Sequence, residues 1–140
     1  MAVDDLKRMP GHLIRRAHQI SVALFSEELT GFELTPVQFM ALVAVSELPG
    51  VDATRLADLI YFDKATIGGV VARLERKGLI QRRQSRKDQR VKVLQVTPAG
   101  HALIEACHRH VEQVQDRLLE PLSPADRETF LRLLGQLVEN

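Results

Sequence analysis

The residues of this chain best suited to chemistry are cations, and they are clustered. Between Arg73 and Lys92 stand nine of the 19 Lys and Arg residues against two acids, Glu75 and Asp88, a formal charge of +7 in a chain whose total is +1. The whole-chain charge therefore conceals a strongly basic surface. Such a run suits a polyanion, because each Lys or Arg that neutralises a phosphate releases condensed counterions. A solvated charge run is the competing reading from charge alone, and the pattern around the cluster is what separates the two.

Other chemistries find less support. No nucleophile and base, closed metal set or phosphate-cradling loop can be assembled with useful spacing, and Gly68-Gly69 is not such a loop, so no catalytic residue and no cofactor is assigned. His101, Cys107, His108 and His110 invite a metal, yet positions 107, 108 and 110 do not share one helical face. Structural or dimer-face histidines are the preferred reading, with a transition metal held across a dimer as the alternative. Cys107 shows no local sign of an activated thiolate and reads as a core cysteine.

The elements that must position the cations follow from periodicity. A chain of 140 residues with 45% apolar content suits a single domain, 1–140. One cysteine and an N-terminus without a basic region feeding an apolar run predict a reduced, cytoplasmic protein, and no stretch approaches the length of a membrane span. Leu6, Met9, Leu13, Ile14, Ala17, Ile20, Ala23 and Leu24 predict a long first helix with an irregular start near Pro10. Thr35-Pro36 caps a second, nearly all-apolar helix to Leu48, ended by Pro49-Gly50. Short helices over 53–60 and about 64–77, the latter capped by Asp63 and stopped by Gly78, form a helix-turn-helix. From Leu79 the period changes, and two short strands flank the polar tip 84–90 as a wing. Thr97-Pro98 restarts helix to about Leu119, and a last helix covers about 125–138. The fold class is thus mainly α, a winged helix-turn-helix with a two-stranded β wing and long N- and C-terminal helices suited to dimerisation. The DNA-binding lobe spans about 35–97; the dimerisation helices span about 5–30 and 99–139.

This arrangement has a direct use on B-form DNA: the second helix of the pair enters the major groove and the hairpin reaches a neighbouring groove or the backbone. Lys64, Thr66 and Arg73 are the contact candidates on the helix. Gly68 and Gly69 either permit close backbone approach or are small residues tolerated at a crowded helix crossing. Arg86, Lys87 and Arg90 are the candidates at the wing, with Asp88 orienting its turn, while Arg82 and Arg83 lie farther down, toward phosphates. The apolar stripes near Leu6–Leu13 and Leu131–Val138 bury either within the chain or, as favoured here, against a second copy arranged for paired half-sites.

On these residues the chain resembles the MarR family of winged-helix transcriptional regulators. The resemblance spans nearly the whole chain and is most specific in Leu56-Ala57-Asp58, Asp63-Lys64-Ala65-Thr66, Arg73-Leu74-Glu75-Arg76-Lys77-Gly78-Leu79-Ile80, Arg86-Lys87-Asp88-Gln89-Arg90 and Leu94-Gln95-Val96-Thr97-Pro98-Ala99-Gly100. It implies a homodimer whose first, fifth and sixth helices interlock, a partly palindromic double-stranded operator, repression as the outcome, and Asp88 and Arg90 at the wing tip with Arg90 the minor-groove probe. The sequence departs from a frequent family pattern by placing Gly68-Gly69 where a Thr-Arg pair often occurs, so the base contact of that Arg does not carry over.

The resemblance also implies a response to small aromatic acids or phenols, bound between the dimer-forming helices and the DNA-binding lobe. His12, Arg16 and Gln19 fall at similar helical angles on the first helix, where Arg16 can pair a carboxylate and His12 or Gln19 can orient a ring substituent. Phe39 and Met40 are the candidate apolar wall. Arg16 snorkelling or pairing with an acid is the competing reading. Two other functions compete with a ligand-responsive repressor: a dimeric adaptor with a basic surface, and a redox- or metal-responsive regulator.

Overall fold

The computed structural model describes residues 1–139. Its elements follow in the order α1 (Val3–Lys7), α2 (Pro10–Glu28), α3 (Pro36–Glu47), α4 (Ala53–Leu59), α5 (Lys64–Arg76), β1 (Ile80–Gln84), β2 (Lys92–Val96), α6 (Pro98–Leu119) and α7 (Pro124–Val138). The predicted mainly α winged helix-turn-helix is thereby confirmed. The chain forms two compact units, one of Met1–Glu28 with the chain from His110 onward, the other of Leu29–Arg109.

The second unit is built around α3, whose Ala41, Leu42 and Val45 are buried. Its start is specified locally: Thr35 Oγ1 accepts from Gln38 N, and Gln38 Oε1 accepts from Thr35 N, both at 3.2 Å, with Pro36 in the first turn. Against α3 packs α5, which turns Ile67, Val70, Val71 and Leu74 inward at spacings of three and four. Leu42, Leu56, Ile67 and Leu74 are fully buried, each worth about 1.5–3 kcal/mol relative to exposure. The helix ends where Gly78 adopts φ 75°, a conformation costly for a side-chain-bearing residue.

β1 and β2 pair antiparallel with Ile80 opposite Val96 and Arg82 opposite Leu94. Burial falls off along β1 away from Ile80, so the base of the hairpin is packed and its tip is solvated. Leu94 N also donates to Val51 O at 2.8 Å, which anchors the wing to the segment before α4. Thr97 completes the base: its amide donates to Leu79 O at 3.0 Å and its hydroxyl to Gly78 O at 2.6 Å.

In the first unit the expected long helix is divided, with the five-residue α1 separated from α2 at Arg8 and Met9. Proline explains the division, because Pro10 has no N–H to give the preceding turn and disfavours helical backbone at Met9, yet fits the first position of a new helix. Arg117 on α6 ties the end of α2 through Glu28 at 3.0 Å and Glu27 at 3.4 Å. The Arg127 guanidinium donates to the carbonyls of Leu119 and Leu122 and so holds the turn into α7. α2 buries only Phe25 and α7 buries nothing fully. Leu13, Ile14 and Ile20 on α2, and Leu131, Leu133 and Leu137 on α7, are about half exposed or more. Burial within the chain does not account for these stripes.

Candidate nucleic-acid interface

The first turn of α5 is organised by Asp63. Its carboxylate accepts from the Thr66 amide and the Thr66 hydroxyl, each at 2.7 Å. The Thr66 hydroxyl, then its amide, hold the Asp63 carboxyl below the usual carboxylate range. Outside the buried stripe of α5, Lys64, Thr66, Gly69 and Arg73 are exposed, and Gly68 is half-buried. A Cβ built on Gly68 or Gly69 would meet nothing within 4 Å. Crowding against another helix is therefore not why these positions are glycine; their outer face is open, and the α5 backbone is accessible there.

The approach to this turn carries a residue that the sequence reading missed. Tyr61, between α4 and α5, has φ 60° and is 92% exposed. A non-glycine residue in the left-handed region, with its phenol in solvent beside the N-terminus of α5, presents a hydrogen-bonding group at the edge of the helix-turn-helix. The adjacent aromatic pair Tyr61-Phe62 ahead of a capping Asp63 was the available signal.

At the wing tip, Ser85 Oγ accepts from the amides of Lys87 and Asp88, at 3.2 and 3.4 Å. Asp88 Oδ1 accepts from the Arg90 amide at 3.0 Å and its Nε at 3.1 Å, while Oδ2 accepts from a terminal guanidinium nitrogen at 3.3 Å. The Arg90 guanidinium, then its amide, lower the Asp88 pKa. Asp88 thus sets both the turn and the direction of Arg90. Arg86 and Lys87 are exposed, and their charged groups enter no ion pair among the described residues. Arg83 is likewise exposed, whereas Arg82 lies 3.6 Å from Glu75 and is partly neutralised.

The remaining candidates belong to different units. On α2, Arg16 donates to Gln19 Oε1 at 2.6 Å, and His12 is half-buried. On α3, in the other unit, Phe39 is half-buried and Met40 is 44% exposed. Cys107 is fully buried, and desolvation raises its thiol pKa, which disfavours the reactive thiolate. Among the described residues no group of three or more His, Cys, Asp or Glu is placed to hold a metal ion. None of the described helices is long and apolar enough to cross a membrane.

An exposed second helix of a helix-turn-helix, followed by a basic antiparallel hairpin anchored at its base, defines a winged helix-turn-helix DNA-binding protein. The sequence profile of the MarR family matches residues 34–92. The structure resembles that of a probable transcriptional regulator from Pseudomonas aeruginosa, with a TM-score of 0.90 and 36% identity over 94% of this chain and 98% of that one. It also resembles BpsR of Bordetella bronchiseptica, whose DNA binding is regulated by 6-hydroxynicotinic acid, with a TM-score of 0.90 and 30% identity over 96% of both chains. In sequence, the transcriptional repressor NicR of Pseudomonas putida is 29% identical over 97% of this chain and 86% of its own. The chain belongs to the MarR family. It is accordingly a non-enzymatic, DNA-binding transcriptional regulator of the kind that works as a homodimer.

Proposed function

We propose that the chain represses transcription by binding a partly palindromic operator as a homodimer and that a small aromatic carboxylate or phenol releases it. The observation that carries this reading is the apolar surface left uncovered on α2 and α7 in a chain that also holds a complete DNA-reading lobe. Exposed stripes of this kind are costly in a monomer and match a second copy of the same helices. A dyad then sets two α5 helices for half-sites about one helical turn apart. Lys64, Thr66, Gly68 and Gly69 meet the major groove with Arg73 at its phosphate edge, and the wing meets the adjacent minor groove and phosphates through Arg82, Arg86, Lys87 and Arg90.

The effector class is supported by the resemblance to BpsR, since 6-hydroxynicotinic acid is an aromatic carboxylate. Arg16, with Gln19 and His12 near it along α2, is the group assigned to the carboxylate, because a guanidinium can give it two parallel hydrogen bonds. Release is a population shift: a ligand that prefers the DNA-incompetent state 100-fold contributes about 2.7 kcal/mol of coupling.

Selection from randomised duplex DNA, followed by gel shifts with wild type and Arg86→Ala, tests the operator reading. Two opposed half-sites are expected, and failure to enrich any motif at moderate salt would overturn it. Calorimetry with a panel of aromatic carboxylates and phenols tests the effector reading. Affinity unchanged in Arg16→Ala would remove Arg16 from the site.

A further inference from the structure

The segment leading into α3 and the C-terminal turns of α5 flank an open cleft of about 440 Å³ lined by Glu33, Thr35, Gln38, Arg73, Arg76 and Lys77. Three cations face one acid. Lys77 is committed internally, its Nζ donating to the Glu33 carbonyl and lying 3.5 Å from Gln38 Oε1. Arg73 and Arg76 are exposed, and their guanidinium groups enter no hydrogen bond or ion pair among the described residues.

Two neutral donors complete the cleft. Gln38 is only 4% exposed, and its side-chain oxygen is occupied by the Thr35 amide and Lys77. Gln38 lines the cleft, and with its oxygen held its Nε2 enters no hydrogen bond among the described residues and is free to donate. Thr35 Oγ1 accepts from Gln38 N and keeps its own proton to donate. The positive end of the α3 dipole adds to the field. Such a surplus of donors is complementary to an oxyanion, and paired guanidinium forks suit the several oxygens of a phosphate.

The dimensions favour a phosphate of the DNA backbone. α5 has 13 residues, so it is about 20 Å long, whereas the major groove is about 12 Å wide. With the Lys64–Gly69 end at the base edges, Arg73 and Arg76 stand beyond the groove floor, where the phosphate wall lies. We propose that this cleft is an oxyanion seat that takes one operator phosphate per protomer, gripped by Arg73 and Arg76, with Thr35 Oγ1 and Gln38 Nε2 as neutral donors and Lys77 holding its walls. The seat rests on the operator-binding reading and adds Thr35, Gln38, Arg76 and Lys77 to it.

The test is the salt dependence of operator affinity for wild type, Arg73→Gln, Arg76→Gln and the double variant, with circular dichroism to confirm folding. Each single variant is expected to weaken binding roughly tenfold, equally on operator and unrelated DNA. Because both arginines share one phosphate, the double variant should lower the slope of log K against log salt by about 0.9 per protomer. A neutral methylphosphonate moved along the operator should weaken wild type at one position per half-site and leave the double variant unaffected there. An unchanged slope, or additive losses with a fall of about 1.8 per protomer, overturns the shared seat. Inorganic phosphate titrated against chloride at equal ionic strength separates the sources. Saturable displacement of DNA that disappears in the double variant would make the cleft a free-anion site and overturn the operator version. Wild type that binds no DNA sequence overturns the operator reading itself, and the seat with it.

Discussion

Asp63 holds Thr66 twice, accepting from its amide with one oxygen and from its hydroxyl with the other, both at 2.7 Å. The residue expected to touch DNA is therefore also the closing contact of the α5 cap. Its hydroxyl proton is committed to Asp63, so Thr66 offers a base edge its lone pairs and its methyl group. Helix start and base contact share one side chain.

Asp63→Ala should lower the melting temperature by a few degrees, while Asp63→Asn, a good N-cap, should lower it less. The pH dependence has a definite sign. The folded Asp63 pKa is depressed, so the stabilisation is complete above the unfolded value of about 3.9 and is lost as pH falls through the folded value. The advantage of wild type over Asp63→Ala should hold from pH 7 to 5 and shrink at lower pH. Urea titrations at stepped pH check this, and an advantage unchanged in strong acid would contradict it.

At the wing, Asp88 pairs with Arg90 while the Arg86 side chain has no such partner. A paired arginine displaces fewer counterions than a free one. Arg86→Ala should lower the salt slope by about 0.9 per protomer on any DNA. Arg90→Ala should change the slope less and relax discrimination between A·T and G·C steps under the wing, because Asp88 aims that guanidinium. Affinities measured over a salt series on operators altered in the flank distinguish the two. Equal slope losses with no change in discrimination would remove the special role of Arg90.

Features written in a few adjacent residues were legible in the sequence. Thr35-Pro36, Asp63 and Gly78 each specify a cap or stop within one turn, and the change of period at Leu79 marks the wing. Features that need distant residues were not. The Lys77–Gln38 contact joins positions 39 apart, and the cleft it supports has no local pattern. The Arg82–Glu75 pair depends on how β1 leaves α5. A helical wheel places Gly69 away from Ile67 and Val71 and Gly68 at the edge of their stripe but cannot say whether another element lies over them; the structure leaves both open.

That open face gives the glycines opposed effects on folding and binding. Gly68→Ala and Gly69→Ala should each stabilise the free protein by up to about 1 kcal/mol, since alanine favours helix and nothing crowds the new Cβ. The same methyl group should keep the α5 backbone from the groove and weaken operator binding. Unfolding and gel-shift titrations on the same variants test the pair of effects. Higher stability with undiminished affinity would show that close approach is not what the glycines provide.

Gly100 is the opposite case. A Cβ there would stand 2.3 Å from Leu79 O and 2.6 Å from Val96 Cγ1, at the base of the wing. Leu79 O cannot yield freely, because it accepts from the Thr97 amide at 3.0 Å while Thr97 Oγ1 bonds Gly78 O. Gly100→Ala must therefore push the first turn of α6 away from the hairpin, at a cost of about 1–3 kcal/mol despite better helix propensity. Gly11→Ala on α2, where nothing lies within 4 Å, is the control and should be neutral or stabilising. Urea unfolding of the two variants should move in opposite directions. Because the wing is anchored through this contact, Gly100→Ala should also weaken operator binding under conditions where it remains folded. A Gly100→Ala protein as stable as wild type would mean that the close approach of α6 to Leu79 does not hold the wing in place.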